Sequence, residues 1–188
     1  VSDSVWSLRA DELLRRTASS EPTPGNGSIA AVAGAFGIAL VLMALTITED
    51  APASLRERGE AILERVTPAA DADVAAFGAV IDASGGGGDD AALESATVAA
   101  TERPLELLAA LVDALALAAE AEPVVKHALV SDVLSGGDLI AGAARAAIRA
   151  ADLNLATLER DGSDASAALR ERRETLVSAL DDALGARA

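Results

Sequence analysis

The sequence predicts an all-α protein, a bundle of about six or seven helices around a buried, Ala/Gly-rich central helix. Three observations point there. Aromatic residues make up 2% of the 188-residue chain against a hydrophobic fraction of 51%, so the core must be built from Ala, Leu, Val and Ile, and an Ala- and Leu-rich composition favours helices. Prolines and glycines punctuate segments whose apolar residues recur at helical spacing, and no run reads convincingly as a strand. Residues 29–48 contain no charged side chain, as expected of a helix covered on most sides. The length fits a single domain, residues 1–188, with a substantial core.

Taken in order, residues 3–20 form an amphipathic helix candidate, with Leu8, Leu13 and Leu14 near one face and Arg9, Asp11, Arg15 and Arg16 elsewhere. The stretch Glu21-Pro22-Thr23-Pro24-Gly25-Asn26-Gly27-Ser28 follows. Its prolines stiffen the chain, while Gly25, Asn26 and Gly27 are residues that tolerate positive φ and a close backbone approach. Ser28 is the expected N-cap of the next helix, whose unpaired first N–H groups would suit a carboxylate or another electron-rich group. Residues 29–48 then form the central helix, in which Ala33, Gly34 and Gly37 allow neighbouring helices to come close. The run is long enough to span a membrane, but its small residues, the lack of a flanking basic cluster and the Glu49-Asp50 that follow favour a core helix.

Pro52 marks the next start, and residues 55–83 read as helix broken or kinked at Pro68. Residues 85–88, all glycine, break the pattern. Asp89 and Asp90 can cap a helix beginning at Ala91, and Pro104 is expected to interrupt a pattern that continues to about residue 120. Lys126, His127, Ser131 and Asp132 cluster in residues 123–134. Gly136-Gly137 is a bend or a tight packing point, residues 139–158 are again helical, and a charged amphipathic helix over 166–184 closes the chain.

A net charge of −15 argues against nucleic acid and anionic membrane surfaces as partners, since both need a cationic face. With no cysteine and one histidine, the chain has no disulfide, thiolate nucleophile or multi-histidine metal centre, and no metal is expected. Ser28 has no recognisable histidine partner or nucleophile elbow, and Gly25-Asn26-Gly27-Ser28 lacks the lysine of a phosphate loop. Val1-Ser2-Asp3-Ser4 shows no basic stretch leading into an apolar one, so a cytoplasmic location is expected.

The loop Pro22-Thr23-Pro24-Gly25-Asn26-Gly27-Ser28 with the helix Ile29-Ala30-Ala31-Val32-Ala33-Gly34-Ala35-Phe36-Gly37 resembles the signature of the cyclodeaminase/cyclohydrolase family. That family includes the C-terminal domain of formiminotransferase-cyclodeaminase and stand-alone methenyltetrahydrofolate cyclohydrolases. Asp73-Val74-Ala75-Ala76-Phe77, Arg103-Pro104-Leu105, Ser131-Asp132 and Asn154 resemble later landmarks of the family in the same order. The resemblance implies an all-helical homodimer that takes a reduced folate as substrate and needs no tightly bound cofactor. The implied reactions are closure of 5-formiminotetrahydrofolate to 5,10-methenyltetrahydrofolate with loss of ammonia, or interconversion of the methenyl and 10-formyl forms with water. The chain departs from the family pattern at Asn26, where a third loop glycine is usual, at Val125, Lys126 and Ala128 before Ser131-Asp132, at Leu158, and over residues 46–50, where a basic and aromatic patch is common.

Both reactions suit a carboxylate held in a partly desolvated cleft, where its proton affinity is tuned toward neutrality. Asp132 is the first candidate, Asp73 the second, and His127 a possible proton shuttle. Pro24, Gly25, Asn26, Gly27, Ser28 and Ser131 are candidate substrate contacts. Lys126 is a candidate partner for the glutamate tail and Asn154 for the pterin edge. Each also has a plain structural reading as a cap, a solvated acid or a satisfied helix neighbour. The competing functional readings are a family member that keeps the scaffold as a binding dimer without turnover, and an enzyme that closes a different imine or amidine.

Overall fold

Pro52, Pro68 and Gly85 stand at helix ends in the computed structural model, and Pro104 does not. The structure describes residues 4–85 and 89–186. Among them are seven α-helices: α1 (Ala10–Thr17), α2 (Asn26–Ile47), α3 (Ala53–Val66), α4 (Ala69–Ser84), α5 (Asp90–Ala121), α6 (Val130–Arg160) and α7 (Ser166–Gly185). Short 3-10 turns occupy Val5–Ser7 and His127–Leu129. No strand occurs among the described residues, in line with the expected all-α bundle. Gly86, Gly87 and Gly88 of the expected glycine break, and Asp3 at the expected start of the first helix, lie outside the described residues.

The N-terminal segment is not one helix. Leu8 and Arg9 are extended, with ψ of 141° and 149°, and separate the 3-10 turn from α1. The turn is held from outside: Asp71 on α4 accepts hydrogen bonds from the Ser4 hydroxyl at 2.6 Å and the Val5 N–H at 2.7 Å, and the Trp6 indole donates to the Thr67 carbonyl at 2.7 Å. These anchors outweigh the intrinsic propensity of a short helix, which is weak without tertiary support. Leu13 packs on the core, whereas Leu14 is 72% exposed.

The core lies along α2, α5 and α6. Ile38, Val41 and Leu45 meet Leu108, Leu111, Leu115 and Ile140, all fully buried or nearly so. A second cluster joins Leu105, Leu155, Leu158 and Leu169. With so few aromatics, packing depends on close helix approach. α2 and α6 run antiparallel, and a Cβ placed on either Gly37 or Gly136 would sit 2.6 Å from the other residue's carbonyl oxygen. Gly34 likewise has no room for a side chain, its Cβ position being 2.5 Å from Leu111. Gly136-Gly137 is thus a packing point inside α6, not a bend.

α5 runs through Pro104 without a break, contrary to the expected interruption. A proline there leaves the carbonyl four residues back, that of Ala100, without its helical donor. Asn154 of α6 supplies the missing hydrogen bond, its side-chain amide donating to the Ala100 oxygen at 2.9 Å. Buried backbone acceptors need a partner, and this one comes from a neighbouring helix.

Candidate functional site

The Pro-Gly loop enters α2 earlier than the sequence suggests. Pro24 is buried and follows a cis Thr23–Pro24 peptide. Gly25 is the N-cap, with φ −106° and ψ −156°, and Asn26, Gly27 and Ser28 already form the first turn. None of Gly25, Asn26 and Gly27 has positive φ; among the described residues that conformation occurs at Gly162. The loop therefore uses its glycines for space, not for unusual dihedrals. A Cβ on Gly27 would lie 2.0 Å from the Oδ1 of Asp73.

Asp73 provides the cap expected from Ser28. Its Oδ2 accepts hydrogen bonds from both the backbone N–H and the hydroxyl of Ser28, each at 2.8 Å. Ser28 is completely buried. A carboxylate at a helix N-terminus is favoured by the unpaired N–H groups and the helix dipole. The anion that the sequence places there is thus supplied from within the chain, by α4.

A cleft of about 390 Å³ lies between the loop, α2 and α6, and Gly27, Ser28 and Asp73 are not in its lining. Pro22, Pro24 and Gly25 form one wall, Ile29 and Ala33 another, and Gly142 and Ala146 the third. Asn26 is exposed at its edge and ties the loop to α6, its amide donating to the Ala146 carbonyl at 3.1 Å. Glu21 adds one carboxylate to the lining. Most of this lining is small and apolar, so the cleft suits a flat ring system better than a densely hydrogen-bonded polar head. Arg149 lies three residues beyond Ala146 and seven beyond Gly142, hence on the same side of α6. It and Arg145 are exposed. Sequence reading passed over both arginines, although the helical spacing from Gly142 was the available signal.

The remaining candidates gather elsewhere. Lys126 donates from its ammonium to the Ile47 carbonyl at 2.8 Å and from its backbone N–H to the Thr48 hydroxyl at 3.1 Å, which places it at the C-terminal end of α2. Its charge sits where a helix terminus attracts a cation. Exposed His127 lies in the adjoining 3-10 turn, and exposed Ser131 and half-buried Asp132 are in the first turn of α6. α2 has 22 residues, so at about 1.5 Å per residue its two ends lie roughly 30 Å apart. Within one chain, Pro24, Gly25, Asn26, Gly27, Ser28 and Asp73 form one group and Lys126, His127, Ser131 and Asp132 another. Asn154 belongs to neither, being turned to Ala100. No group of three or more metal-ligating side chains occurs among the described residues.

Between the two groups runs an apolar seam. Ile29, Ala33, Phe36, Leu40, Met43 and Ile47 recur at alternating intervals of four and three residues, the spacing of a helix that pairs with another helix. Phe36 is 60% exposed and Ile47 47%. Ile29 and Ala33 also line the cleft, so seam and cleft are continuous. α2 is long and apolar enough to cross a membrane by length and composition. In this fold its Ala/Gly side is buried against α6 and α5.

A family model described as Formiminotransferase-cyclodeaminase matches residues 9–174, which include the loop, α2, Asp73 and the Ser131-Asp132 element. Among solved structures, the fold is similar to that of formiminotetrahydrofolate cyclodeaminase from Thermotoga maritima, with a TM-score of 0.82 over 97% of this chain and 94% of that one. The two sequences are 21% identical over this match, a likeness of fold. No curated protein matches the sequence.

Proposed function

This chain belongs to the formiminotransferase-cyclodeaminase family, and we propose that it is a cytoplasmic folate one-carbon enzyme, a formiminotetrahydrofolate cyclodeaminase or methenyltetrahydrofolate cyclohydrolase acting as a homodimer. The observation that carries this reading is the cleft itself, since it is walled by the loop and helix that carry the family likeness. Its small, apolar lining accepts a flat pterin. Arg145 and Arg149, about one helical turn from the lining residues Gly142 and Ala146, are the cations assigned to the substrate's glutamate carboxylates, because Lys126 is held at the other end of α2.

In the cyclodeaminase reaction N10 attacks the formimino carbon, the departing nitrogen takes up a proton, its bond to that carbon breaks and ammonia leaves. In the cyclohydrolase reaction water attacks the methenyl carbon as a base accepts one of its protons; the carbon–N5 bond then breaks, the remaining hydroxyl proton passes to N5, and the carbon stays on N10 as the formyl group. Asp132 is assigned this proton transfer, with exposed His127 in the preceding 3-10 turn as its outlet to solvent. Asp73 acts by positioning: its Oδ2 already accepts two hydrogen bonds from Ser28 and fixes the start of α2 beneath the cleft.

Asp132 lies fourteen residues before Ala146 on α6, and Ala146 touches the loop, so at about 1.5 Å per residue roughly 20 Å separates Asp132 from the loop within a chain and this assignment requires a second copy. A two-fold axis crossing α2 would pair the seams of two chains antiparallel and bring the loop of one toward the 126–132 segment of the other. The seam is free of charge in a protein carrying −15, so it offers a contact without like-charge repulsion.

Two assays test the activity: loss of 5,10-methenyltetrahydrofolate absorbance above the spontaneous rate, and ammonia release from 5-formiminotetrahydrofolate, each at low and high salt. Catalysis in either assay supports the reading and says which reaction is run. Absence of both, with correctly folded protein, overturns it in favour of a binding scaffold.

A further inference from the structure

The protein has fourteen arginines and one lysine against thirty acids, so a concave surface dominated by cations is unexpected. One exists where α3, α4, α5 and α7 meet. A pocket of about 400 Å³ is lined by Arg65, Arg103 and Arg172, with Glu106 as the one acid in its lining. Its floor is apolar, built from Pro68, Ala72, Leu107 and neighbouring alanines. Other concavities show the opposite balance: one is lined by Asp90, Glu94 and Asp161, another by Glu60, Glu64 and Asp71 beside Trp6.

The three arginines are not used up by partners. Arg65 gives one nitrogen to Asp113 at 2.7 Å and Arg103 one to Glu106 at 2.7 Å. A guanidinium has five N–H donors, so both keep several in hand. Arg172 is exposed on α7 and has no hydrogen-bond or ion-pair partner among the described residues. The arginines come from three different helices, which fixes their forks around one space and not along one surface stripe.

We propose that this pocket binds a small phosphate-monoester metabolite, with the phosphate held by Arg65, Arg103 and Arg172 and a compact apolar body resting on Pro68, Ala72 and Leu107. Three guanidinium groups against two carboxylates, Glu106 in the lining and Asp113 on Arg65, leave a surplus of one positive charge and most of the N–H donors unused. A phosphate monoester carries about −1.5 to −2 near neutral pH and offers oxygens for forked hydrogen bonds. A monocarboxylate, with two oxygens in one plane, would leave one of the three guanidinium forks without a partner, and a bare inorganic ion would leave the apolar floor empty. The pocket shares no lining residue with the cleft at the loop, so this site is independent of the folate reading.

Phenyl phosphate, inorganic phosphate and benzoate are the probes. Equilibrium dialysis against the intact protein should show one phenyl phosphate per chain, binding at least tenfold more tightly than benzoate and more tightly than inorganic phosphate, and weakening as salt rises. Trp6, the sole tryptophan, is bonded to Thr67 next to Pro68, so its fluorescence gives a second readout of occupancy. Arg172→Ala and Arg103→Ala should each weaken phenyl phosphate at least tenfold with unchanged helical content. Arg9→Ala, which removes one positive charge outside the lining, should leave it unaltered. No saturable binding in dialysis, equal affinity for benzoate, or full affinity in both pocket variants would overturn the proposal.

Discussion

Asp73 caps a helix to which it does not belong: from α4, its Oδ2 takes the backbone N–H and the hydroxyl of Ser28 in the first turn of α2, both at 2.8 Å. The contact joins residues 45 positions apart and fixes where the Pro-Gly loop ends. Gly27 is its counterpart, since only a residue without Cβ leaves space for that carboxylate.

Gly27→Ala is therefore expected to displace Asp73 and cost about 1–3 kcal/mol, the usual scale of overpacking. Asp73→Ala should cost a similar amount by leaving buried Ser28 groups unpaired. The double variant should lose less than the sum, because the clash and the cap involve the same atoms. Urea unfolding of the four proteins measures this coupling. Strict additivity would mean that the two residues do not act on one another.

The relation of Asn154 to Pro104 is testable in the same way. Asn154→Leu leaves the Ala100 carbonyl without a donor and should cost about 1–3 kcal/mol. Pro104→Ala restores a backbone N–H four residues after Ala100, so Asn154→Leu should cost much less in that background. An unchanged cost would show that Asn154 does not stand in for the missing helical donor.

These two pairs also mark where the sequence stopped being legible. Helix boundaries at Pro52, Pro68 and Asp89 could be read because proline geometry and an N-terminal cap act locally; Asp89 does accept from the Ala91 N–H at 3.1 Å. Pro104 misled because the donor that rescues α5 lies 54 residues away. Ser28 misled for the same reason: its residue type is right for a cap, but a carboxylate from α4 had already taken the position. The small residues Gly34 and Gly37 were readable as packing points, since absence of a side chain permits approach whatever the partner. For the site, the loop and Asp73 could each be named as candidates, but the contact of Asp73 with Ser28, 45 residues away, could not. The distance of Lys126, His127, Ser131 and Asp132 from them was not readable, because it depends on the full length of α2 and the direction of α6.

The division of labour among the cations gives a further test. Lys126→Met removes a cation from the C-terminus of α2 and should lower stability by about 0.3–1 kcal/mol, while leaving KM for a glutamylated folate unchanged. Arg149→Ala should do the reverse, raising KM several-fold with little effect on the unfolding midpoint. Steady-state kinetics paired with thermal unfolding separates the two. A KM effect confined to Lys126 would return the glutamate contact to that residue.

Glu12 supplies a pH dependence that can be followed at a single group. Hydrogen bonds first from Arg15 and then from Arg16 hold its carboxyl down to about 2, from an ordinary value of 4.5. A depressed folded-state value means the stabilisation is fully present above about 4.5 and is lost as pH falls toward about 2. The stability difference between the protein and Glu12→Gln should thus be constant near neutrality and shrink over that acid window. It should be small throughout, as the group is only half-buried and is screened by solvent. Carboxyl NMR titration of Glu12 provides the direct check; a midpoint near 4.5 would remove the arginine effect.

The composite-site reading makes the strongest demand on the molecule. If the loop of one chain works with Asp132 of another, Asp132→Ala and a cleft-blocking variant, Gly142→Trp, should each abolish turnover as homodimers. Gly142 is suited to this because it lines the cleft from α6, outside the seam, and has open space at its Cβ position. Mixed after mild dissociation, the two should regain activity toward one quarter of wild type, since half of the dimers would be heterodimers with one intact site each. Met43→Glu introduces charge into the seam and should yield a monomer by sedimentation, with helical circular dichroism retained and turnover lost. Activity in that monomer would break the link between Asp132 and the partner's loop. An inactive mixture in which heterodimers have demonstrably formed would place all the working groups on one chain, and would require α2 to be bridged by another route.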